Sequence, residues 1–172
     1  LLAVLDSVLF DGWTDRALEQ AGSILDLDDA IIADAFPEGL PQLLDHLADW
    51  ADREALAAME AVDLDNMRVR DRITLAVRAR LEALTPYKDA VRRSMALVPR
   101  PAYGGQIPNV IWRSADRFWV KAGDTSTDYN YYTKRGLLAG VITSTTLFWL
   151  NDSSEDQEGT WTFLDRRIDN VL

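Results

Sequence analysis

Apolar residues recur every three or four positions along almost the whole chain, and this periodicity restricts the fold more than any other feature. An interval of three to four residues places side chains on one face of an α-helix, whereas a half-buried strand alternates every second residue. No segment of the 172 residues alternates convincingly in that way. We therefore predict an all-α fold. One apolar stripe of this kind, within residues 65–84, consists of Val69, Ile73, Ala76, Val77, Leu81 and Leu84.

Capping and turn residues divide this pattern into separate helices. Thr14 and the acidic residues around Asp28 and Asp128 stand where helices are expected to begin. Ser154 and Gln157, three positions apart, have the spacing of a capping box. The Pro- and Gly-rich segment Pro99–Gly105 predicts an exposed loop. The predicted helices cover residues 1–9, 14–21, 28–36, 40–62, 65–84, 87–98, 108–122, 128–150 and 154–172.

The acidic charge is concentrated at the N-terminal end. Residues 1–50 contain eleven acidic residues and a single basic one, Arg16, whereas residues 51–172 contain seventeen of each. The predicted helix from Asp28 to Phe36 carries three aspartates and no base. Affinity for nucleic acid depends on Lys and Arg that contact phosphates. We therefore expect no specific DNA binding and no nucleic-acid partner.

The sequence lacks the residue patterns of common catalytic and metal sites. The absence of cysteine excludes disulfides, thiolate nucleophiles and iron–sulfur clusters. The single histidine, His46, lacks the Glu-x-x-His pairs of di-iron bundles, so we interpret it as a surface or boundary residue. The segment Asp152–Gln157 is acidic enough to suggest a calcium loop, but Ser154 and Gln157 replace the required carboxylate and glycine. A helix N-cap explains it better, and we predict no catalytic residue and no metal.

Hydropathy gives no sign of a membrane-spanning segment. No run reaches the roughly 18 apolar residues that a spanning helix needs. No signal peptide is visible, and the chain begins within an apolar run without methionine, so we expect an N-terminal piece to precede it.

Residues 137–150 are apolar or small on every face, which predicts a helix buried at the centre of the fold. Gly136, Gly140 and Ser144 follow one another at intervals of four, so another helix or an apolar ligand could approach closely on that side. A central core helix and a ligand cavity both fit this pattern.

Three tyrosines within four positions precede that segment. Tyr129, Tyr131 and Tyr132 point to different sides of a helix and cannot all face one core. Tyrosine and arginine are enriched at interfaces, so an interaction surface is one interpretation. Partial burial with the hydroxyl groups in water is the other.

The C-terminal part of the chain carries a dense series of characteristic residues: Asp116, Trp119, Ala122-Gly123-Asp124, Ser126, Asp128, Asn130, Tyr132-Thr133-Lys134-Arg135, Leu138-Ala139, Thr146, Asp152-Ser153-Ser154, Thr160-Trp161, Phe163-Leu164 and Arg167-Ile168. This series resembles the signature of the COQ-nine family of ubiquinone-biosynthesis accessory proteins. Upstream, Gly12-Trp13-Thr14 and Leu84-Thr85-Pro86-Tyr87 also fit, so the resemblance covers nearly the whole chain.

The resemblance implies a fold similar to TetR-type regulators. An acidic helix-turn-helix-like subdomain would comprise residues 1–50, and a helical part for ligand binding and dimerisation would comprise residues 51–172, within one continuous fold. The implied function is non-enzymatic: a homodimer binds a lipophilic quinone intermediate, an isoprenoid quinone precursor or another lipid. It presents this lipid to the di-iron demethoxyubiquinone hydroxylase.

The same resemblance implies a location beside a membrane. The protein would be cytoplasmic at the inner-membrane face in a bacterium and mitochondrial in a eukaryote, with peripheral membrane contact. Some family members carry a further C-terminal amphipathic helix. Apart from the lipid we expect no cofactor.

Two sets of site residues follow from the patterns and the resemblance together. We expect an apolar lipid cavity between the helices 108–122, 128–150 and 154–172, and we expect Asp128, Tyr131, Tyr132 and Arg135, which share a helical stripe, to dock the hydroxylase together with Asp116. The charged members of this stripe are expected to be free for a partner. A TetR-like transcriptional regulator with a small-molecule pocket is the alternative function. The expected cavity lining is Ile111, Trp119, Leu138, Gly140, Val141, Ile142, Thr145 and Leu164.

Overall fold

Helices form nearly all the regular structure of residues 1–97, 100 and 105–172, which are the residues that the computed structural model describes. No strand occurs among these residues, so the predicted all-α fold is confirmed. Apart from Arg100 and Gly105, the predicted loop Pro99–Gly105 lies outside the described residues. The α-helices are α1 (Leu2–Asp11), α2 (Asp15–Ile24), α3 (Asp29–Ala35), α4 (Leu40–Glu60), α5 (Val69–Leu84), α6 (Lys88–Ser94), α7 (Gln106–Lys121), α8 (Tyr129–Asn151) and α9 (Glu158–Val171).

Side-chain oxygens cap the starts of three helices. Thr14 Oγ1 accepts a hydrogen bond from the Ala17 amide at 3.3 Å and begins α2. Asp28 and Asp128 accept from the amides two residues further on, at 3.0 and 2.9 Å, and begin α3 and α8. Each bond satisfies one of the backbone N–H groups that a helix leaves unpaired at its first turn. The predicted cap at Thr14 and the predicted helix starts at Asp28 and Asp128 are confirmed.

The start of α9 differs from the prediction. A single 3-10 turn, Glu155–Gln157, precedes the helix, and Gln157 has a positive φ of 58°. The Gln157 amide oxygen accepts a hydrogen bond from the Trp149 indole instead of turning back to the Ser154 backbone. The predicted capping box of Ser154 and Gln157 is therefore wrong.

Two side chains upstream of that turn cap α9 instead. Asp152 Oδ2 accepts from the Thr160 amide at 2.8 Å and from its hydroxyl at 2.6 Å. Ser154 Oγ accepts from the Gly159 amide at 3.0 Å. Burial of the Asp152 carboxyl opposes ionisation, but the hydrogen bonds from Thr160 and Ser154 outweigh it and hold the pKa well below the usual range.

This lowered pKa predicts a pH-dependent stability. A carboxyl whose pKa is lowered in the folded state contributes stability above its unfolded pKa of about 3.9, and the contribution is lost as the pH falls. The free energy of unfolding, measured with urea between about pH 5 and pH 3, is expected to fall less steeply in Asp152→Asn than in the wild type. The exposed control Asp165→Asn should keep the wild-type slope, and an unchanged slope in Asp152→Asn would contradict this assignment.

The chain forms two compact units, and each unit consists of two segments that are separated in the sequence. The first consists of residues Leu1–Asp49 and Pro86–Ile107, and the second of Trp50–Thr85 and Pro108–Leu172. Residues 86–107, which we expected in the second part, are therefore grouped with the acidic N-terminal segment.

The first unit contains a helix-turn-helix arrangement made by α2 and α3. Trp13, before α2, is buried and donates from its indole Nε1 to the Ala90 carbonyl of α6 at 2.8 Å. Gly22 lets α3 approach closely, because a Cβ there would lie 3.0 Å from Ile32 Cγ1. No residue of α3 itself is fully buried.

The second unit holds a continuous apolar core formed by the end of α4 with α5, α7, α8 and α9. Ile73, Ala76 and Val77 of the predicted α5 stripe belong to this core, and Leu81 and Leu84 are also buried. Val69 at the start of the helix is exposed. In α7, Ala115, Phe118 and Trp119 are buried. The core residues of α8 and α9 are Leu138, Val141, Ile142, Leu164 and Ile168.

Helix α8 is not surrounded on all sides as its composition predicts. Leu137 and Leu147 are 44% and 52% exposed, and a Cβ built on Gly136 or Gly140 would meet nothing within 4 Å. The helix packs against α5 and α9 on one side and leaves the other side open. The prediction of a central, fully buried helix is therefore wrong. Among the described residues, no helix is both long and apolar enough to cross a membrane.

Candidate functional site

A buried arginine joins α8 to α7 and to the loop between them. The Arg135 side chain is only 2% exposed. Its Nε donates to Asp116 Oδ1 of α7 at 2.5 Å, and its Nη1 donates to Asp124 Oδ2 in the loop at 2.9 Å. Burial lowers the pKa of the guanidinium, but the hydrogen bonds to both aspartates outweigh this and leave the pKa raised.

The second carboxylate of this cluster has several further donors. Lys134 Nζ lies 2.7 Å from Asp124 Oδ1, and the Ser126 hydroxyl donates to the same oxygen at 2.8 Å. Burial alone would raise the pKa of Asp124, but the hydrogen bonds from Lys134, Ser126 and Arg135 lower it well below its usual range. Asp124 therefore stays ionised, as a buried partner of Arg135 must.

Tyrosine and tryptophan side chains lie against this ionic cluster. The Arg135 guanidinium sits over the ring of Tyr131, 3.5 Å from its centroid, and the Tyr131 hydroxyl donates to Asp116 at 3.1 Å. On the core side, Trp119 Nε1 donates to the Lys134 carbonyl at 3.0 Å. One hydrogen-bonded network thus connects Tyr131, on the predicted docking stripe, to Trp119, in the apolar core.

The prediction that the charged members of the stripe are free for a partner is wrong. Asp128 caps α8, and Arg135 is buried and paired. The prediction considered only a link between these two residues along their own helix, whereas the partners of Arg135 lie on α7 and in the α7–α8 loop. Arg135 instead lies beneath the stripe and contacts the ring of Tyr131.

Three aromatic side chains lie beside this cluster: Tyr132 is exposed, and Trp112 and Tyr131 are half-buried. Tyr132 is 63% exposed, its ring meets Tyr131 edge-on at 5.1 Å, and it lies 6.4 Å from Trp112 of α7. We call Trp112, Tyr131 and Tyr132, with Asp116 beside them, the aromatic patch. Trp112 and Asp116 are four positions apart, so a helical spacing could have identified Trp112 from the sequence. Asp124 belongs to the characteristic series, but helical spacing does not predict its pairing with Arg135.

The predicted lipid-binding residues fall into two groups. Trp119, Leu138, Val141, Ile142 and Leu164 belong to the buried core, and Ile111 packs against it. Thr145 is also buried, and its hydroxyl has no hydrogen-bond partner among the described residues. Gly140 lies apart on the exposed side of α8, because it is one residue before Val141 and hence about 100° away around the helix. Its assignment to the lipid-binding set stays a prediction.

A small cleft opens beside this core. Its volume of about 20 Å³ suits a single water molecule rather than an isoprenoid chain. Trp119 and Leu138 are the predicted lining residues that it contains. The full lining is Ile73, Trp119, Lys134, Leu137, Leu138, Ile168, Val171 and Leu172.

The described residues contain no group of three or more histidines, cysteines or acids that could hold a metal ion. His46 is exposed, and its ring meets Phe36 edge-on at 6.0 Å. The predicted surface position of His46 is confirmed.

Comparisons with known proteins link these features to a family. Residues 105–172 match the family model described as COQ9. Over its whole length the chain is 30% identical to the ubiquinone biosynthesis protein COQ9, mitochondrial, of Rattus norvegicus and 31% to that of Bos taurus, covering 57% and 56% of these relatives. It is 30% identical to the Homo sapiens protein, of which it also covers 56%. The chain thus spans a little over half the length of the curated relatives that it matches.

A solved structure has the same fold. A TetR transcriptional regulator from Nitrosomonas europaea ATCC 19718 superposes with a TM-score of 0.74. The match covers 98% of this chain and 95% of that one, at 22% sequence identity. At this identity the likeness establishes the fold alone, and the predicted TetR-like fold is confirmed.

Removing the buried guanidinium is expected to destabilise the protein strongly. Arg135→Met leaves the buried Asp124 with Lys134 as its remaining counter-charge and removes the ion pair to Asp116, and breaking a buried ion pair from one side costs about 3–5 kcal/mol. Urea unfolding should show this loss, and adding Asp124→Asn should recover part of it. Tyr132→Ala, at an exposed position of the same helix, serves as the control, and an Arg135→Met variant as stable as this control would contradict the network's role.

Proposed function

We propose that the chain is a member of the COQ9 family and that it takes part in ubiquinone biosynthesis as a non-enzymatic accessory protein, on the evidence of the matching family model and the COQ9 relatives. In our proposal it binds a lipophilic quinone intermediate and presents it to the di-iron demethoxyubiquinone hydroxylase. The observation that supports this proposal is that consecutive residues of α8 contact the cleft and the aromatic patch. Lys134 lines the cleft, and Arg135 contacts Asp116 and Tyr131 of the patch.

The proposed lipid site is the cleft beside the core of the second unit. Its walls are mostly apolar, which suits a hydrocarbon chain. Because the cleft is small, a lipid must displace part of its wall, and Val171 of α9 belongs to that wall. Each methylene transferred from water to such a site contributes about 0.8 kcal/mol, so an isoprenoid tail can offset this displacement.

A bulky side chain at Val171 is expected to compete with the lipid. Val171→Trp should lower the lipid that co-purifies, and the uptake of a fluorescent isoprenoid quinone analogue, by about tenfold, which corresponds to excluding roughly two methylenes. The control is Val69→Trp, at an exposed position on α5. Mass spectrometry of organic extracts measures the first effect, and full lipid retention by a folded Val171→Trp variant would show that the cleft is the wrong site.

The aromatic patch is the proposed docking surface for the hydroxylase. Tyrosine and tryptophan are enriched among residues that dominate binding energy, and here a buried ionic cluster fixes their positions. Asp116 adds a partly exposed carboxylate at the edge of the patch. Arg135 is excluded as a direct contact because it is buried.

Truncating the patch is expected to weaken this complex. Trp112→Ala with Tyr132→Ala should reduce hydroxylase affinity by at least about 30-fold, the effect of losing one hot spot of 2 kcal/mol. Calorimetry or a pull-down from the native host measures it, with circular dichroism to check helicity. Phe10→Ala, which removes an aromatic side chain that is 89% exposed in the other unit, is the matched control. Undiminished binding by the double variant would assign the patch a purely structural role.

We also propose a homodimer through the open side of α8. Leu137 and Leu147 project there, Gly140 allows close approach of a second helix, and Phe148 stacks on Phe163 of α9 at 4.6 Å. An exposed apolar face of this kind is typical of an interface. Sedimentation should show a dimer that Leu147→Glu converts to monomer, while Val120→Glu, equally exposed on α7, leaves it intact; a dimer that persists in Leu147→Glu would contradict this interface.

For the location we propose mitochondria in a eukaryotic host, as the names of the relatives state for those proteins, and the inner-membrane face in a bacterium. Peripheral membrane contact would supply the lipid. The alternative function, a transcriptional regulator with a small-molecule pocket, is compatible with the fold. It is disfavoured because the exposed helix α3 carries acids and no base.

A further inference from the structure

The turn between α2 and α3 exposes four large apolar side chains. Ile24, Leu25, Leu27 and Ile31 are between 38% and 67% exposed, within eight consecutive positions. Scattered apolar residues are ordinary on protein surfaces, but a cluster of this kind usually marks an interaction site. We call these four residues the α2–α3 apolar surface.

The exposed side chains lie on a turn whose backbone is held by hydrogen bonds, and not on a frayed helix end. The Leu25 amide donates to the Ala21 carbonyl at 3.2 Å, and the Leu27 amide donates to the Gly22 carbonyl at 2.9 Å. Asp26, between them, has a positive φ of 54°. On the inner side, Ile32 packs against Gly22. The backbone therefore holds the four apolar side chains outward.

The charge around this surface identifies the class of partner. Asp26, Asp28, Asp29 and Asp34 lie in or next to it, and no lysine or arginine occurs between Arg16 and Arg53. Such a surface repels nucleic acid and anionic lipid headgroups. It also repels a second copy of itself, because the same aspartates would face one another.

We propose that the α2–α3 apolar surface binds a basic amphipathic helix of another protein. The apolar side chains fit the apolar face of such a helix, and the aspartates complement the Lys and Arg residues along its edges. The position of α3 supports this, since the second helix of a helix-turn-helix is the one that projects toward a ligand. Here acids and apolar residues replace the bases that would contact DNA.

The test uses the full chain and an 18-residue peptide of leucine and lysine, patterned as an amphipathic helix and labelled for fluorescence anisotropy. The wild type should bind this peptide more tightly at 50 mM than at 300 mM salt. Ile24→Ser with Leu25→Ser should weaken binding at least tenfold at both salt concentrations. Asp29→Lys with Asp34→Lys should weaken it at least tenfold at low salt.

Controls separate this site from general attraction between an acidic protein and a cationic peptide. Glu155→Lys with Asp165→Lys makes the same change in net charge at exposed positions of the other unit, and Val69→Ser removes an exposed apolar side chain there. Both should bind within twofold of the wild type. The proposal is overturned if these controls lose affinity as much as the surface variants, or if a glutamate-for-lysine peptide binds equally well. It is also overturned if Ile24→Ser with Leu25→Ser abolishes self-association or binding to anionic phosphatidylserine vesicles instead.

Discussion

The arrangement of the second unit around its candidate site depends on a charge that has been removed from water. Burying a guanidinium is costly unless its donors are satisfied by oppositely charged acceptors in good geometry. Arg135 meets this condition with two carboxylates from different parts of the chain, Asp116 of α7 and Asp124 of the following loop. Both must stay in place for α8 to remain where it is, so the positions of Tyr131 and of the aromatic patch follow from one buried cation.

A second buried polar cluster fixes the other side of α7. Asp52 of α4 is fully buried and accepts hydrogen bonds from Arg80 Nε of α5 at 2.9 Å and from the Ser114 hydroxyl of α7 at 2.8 Å. Apolar helix faces can slide past one another by a turn at modest cost, whereas a hydrogen-bonded charge cluster allows one alignment. Asp52 thus fixes one face of α7 through Ser114, and Arg135 fixes the opposite face through Asp116.

The local features of the fold could be predicted from the sequence, because the residues that cause them are neighbours in the chain. The cap at Thr14 and the helix starts at Asp28 and Asp128 are examples. Periodicity shows that a face is apolar but not that another helix covers it, and for this reason α8 was expected at the centre. The cap of α9 was misassigned because Asp152 reaches Thr160 across a turn in which Gln157 adopts a left-handed conformation. The pairing of Arg135 with Asp124 connects residues eleven positions apart through a loop, and helical spacing gives no information about such contacts.

The same network also gives the proposed function a physical basis. Lys134 and Arg135 are consecutive, so their side chains leave α8 about 100° apart, one toward the cleft and one toward the patch, and both bind Asp124. A lipid that occupies the cleft lies beside Lys134, and any displacement of that ammonium alters the charge balance at Asp124, which Arg135 shares. Because Arg135 also stacks on Tyr131, the occupancy of the cleft and the position of the patch share one set of hydrogen bonds. Under the proposed function, we therefore expect a partner that docks on Tyr131 to change how tightly the lipid is held.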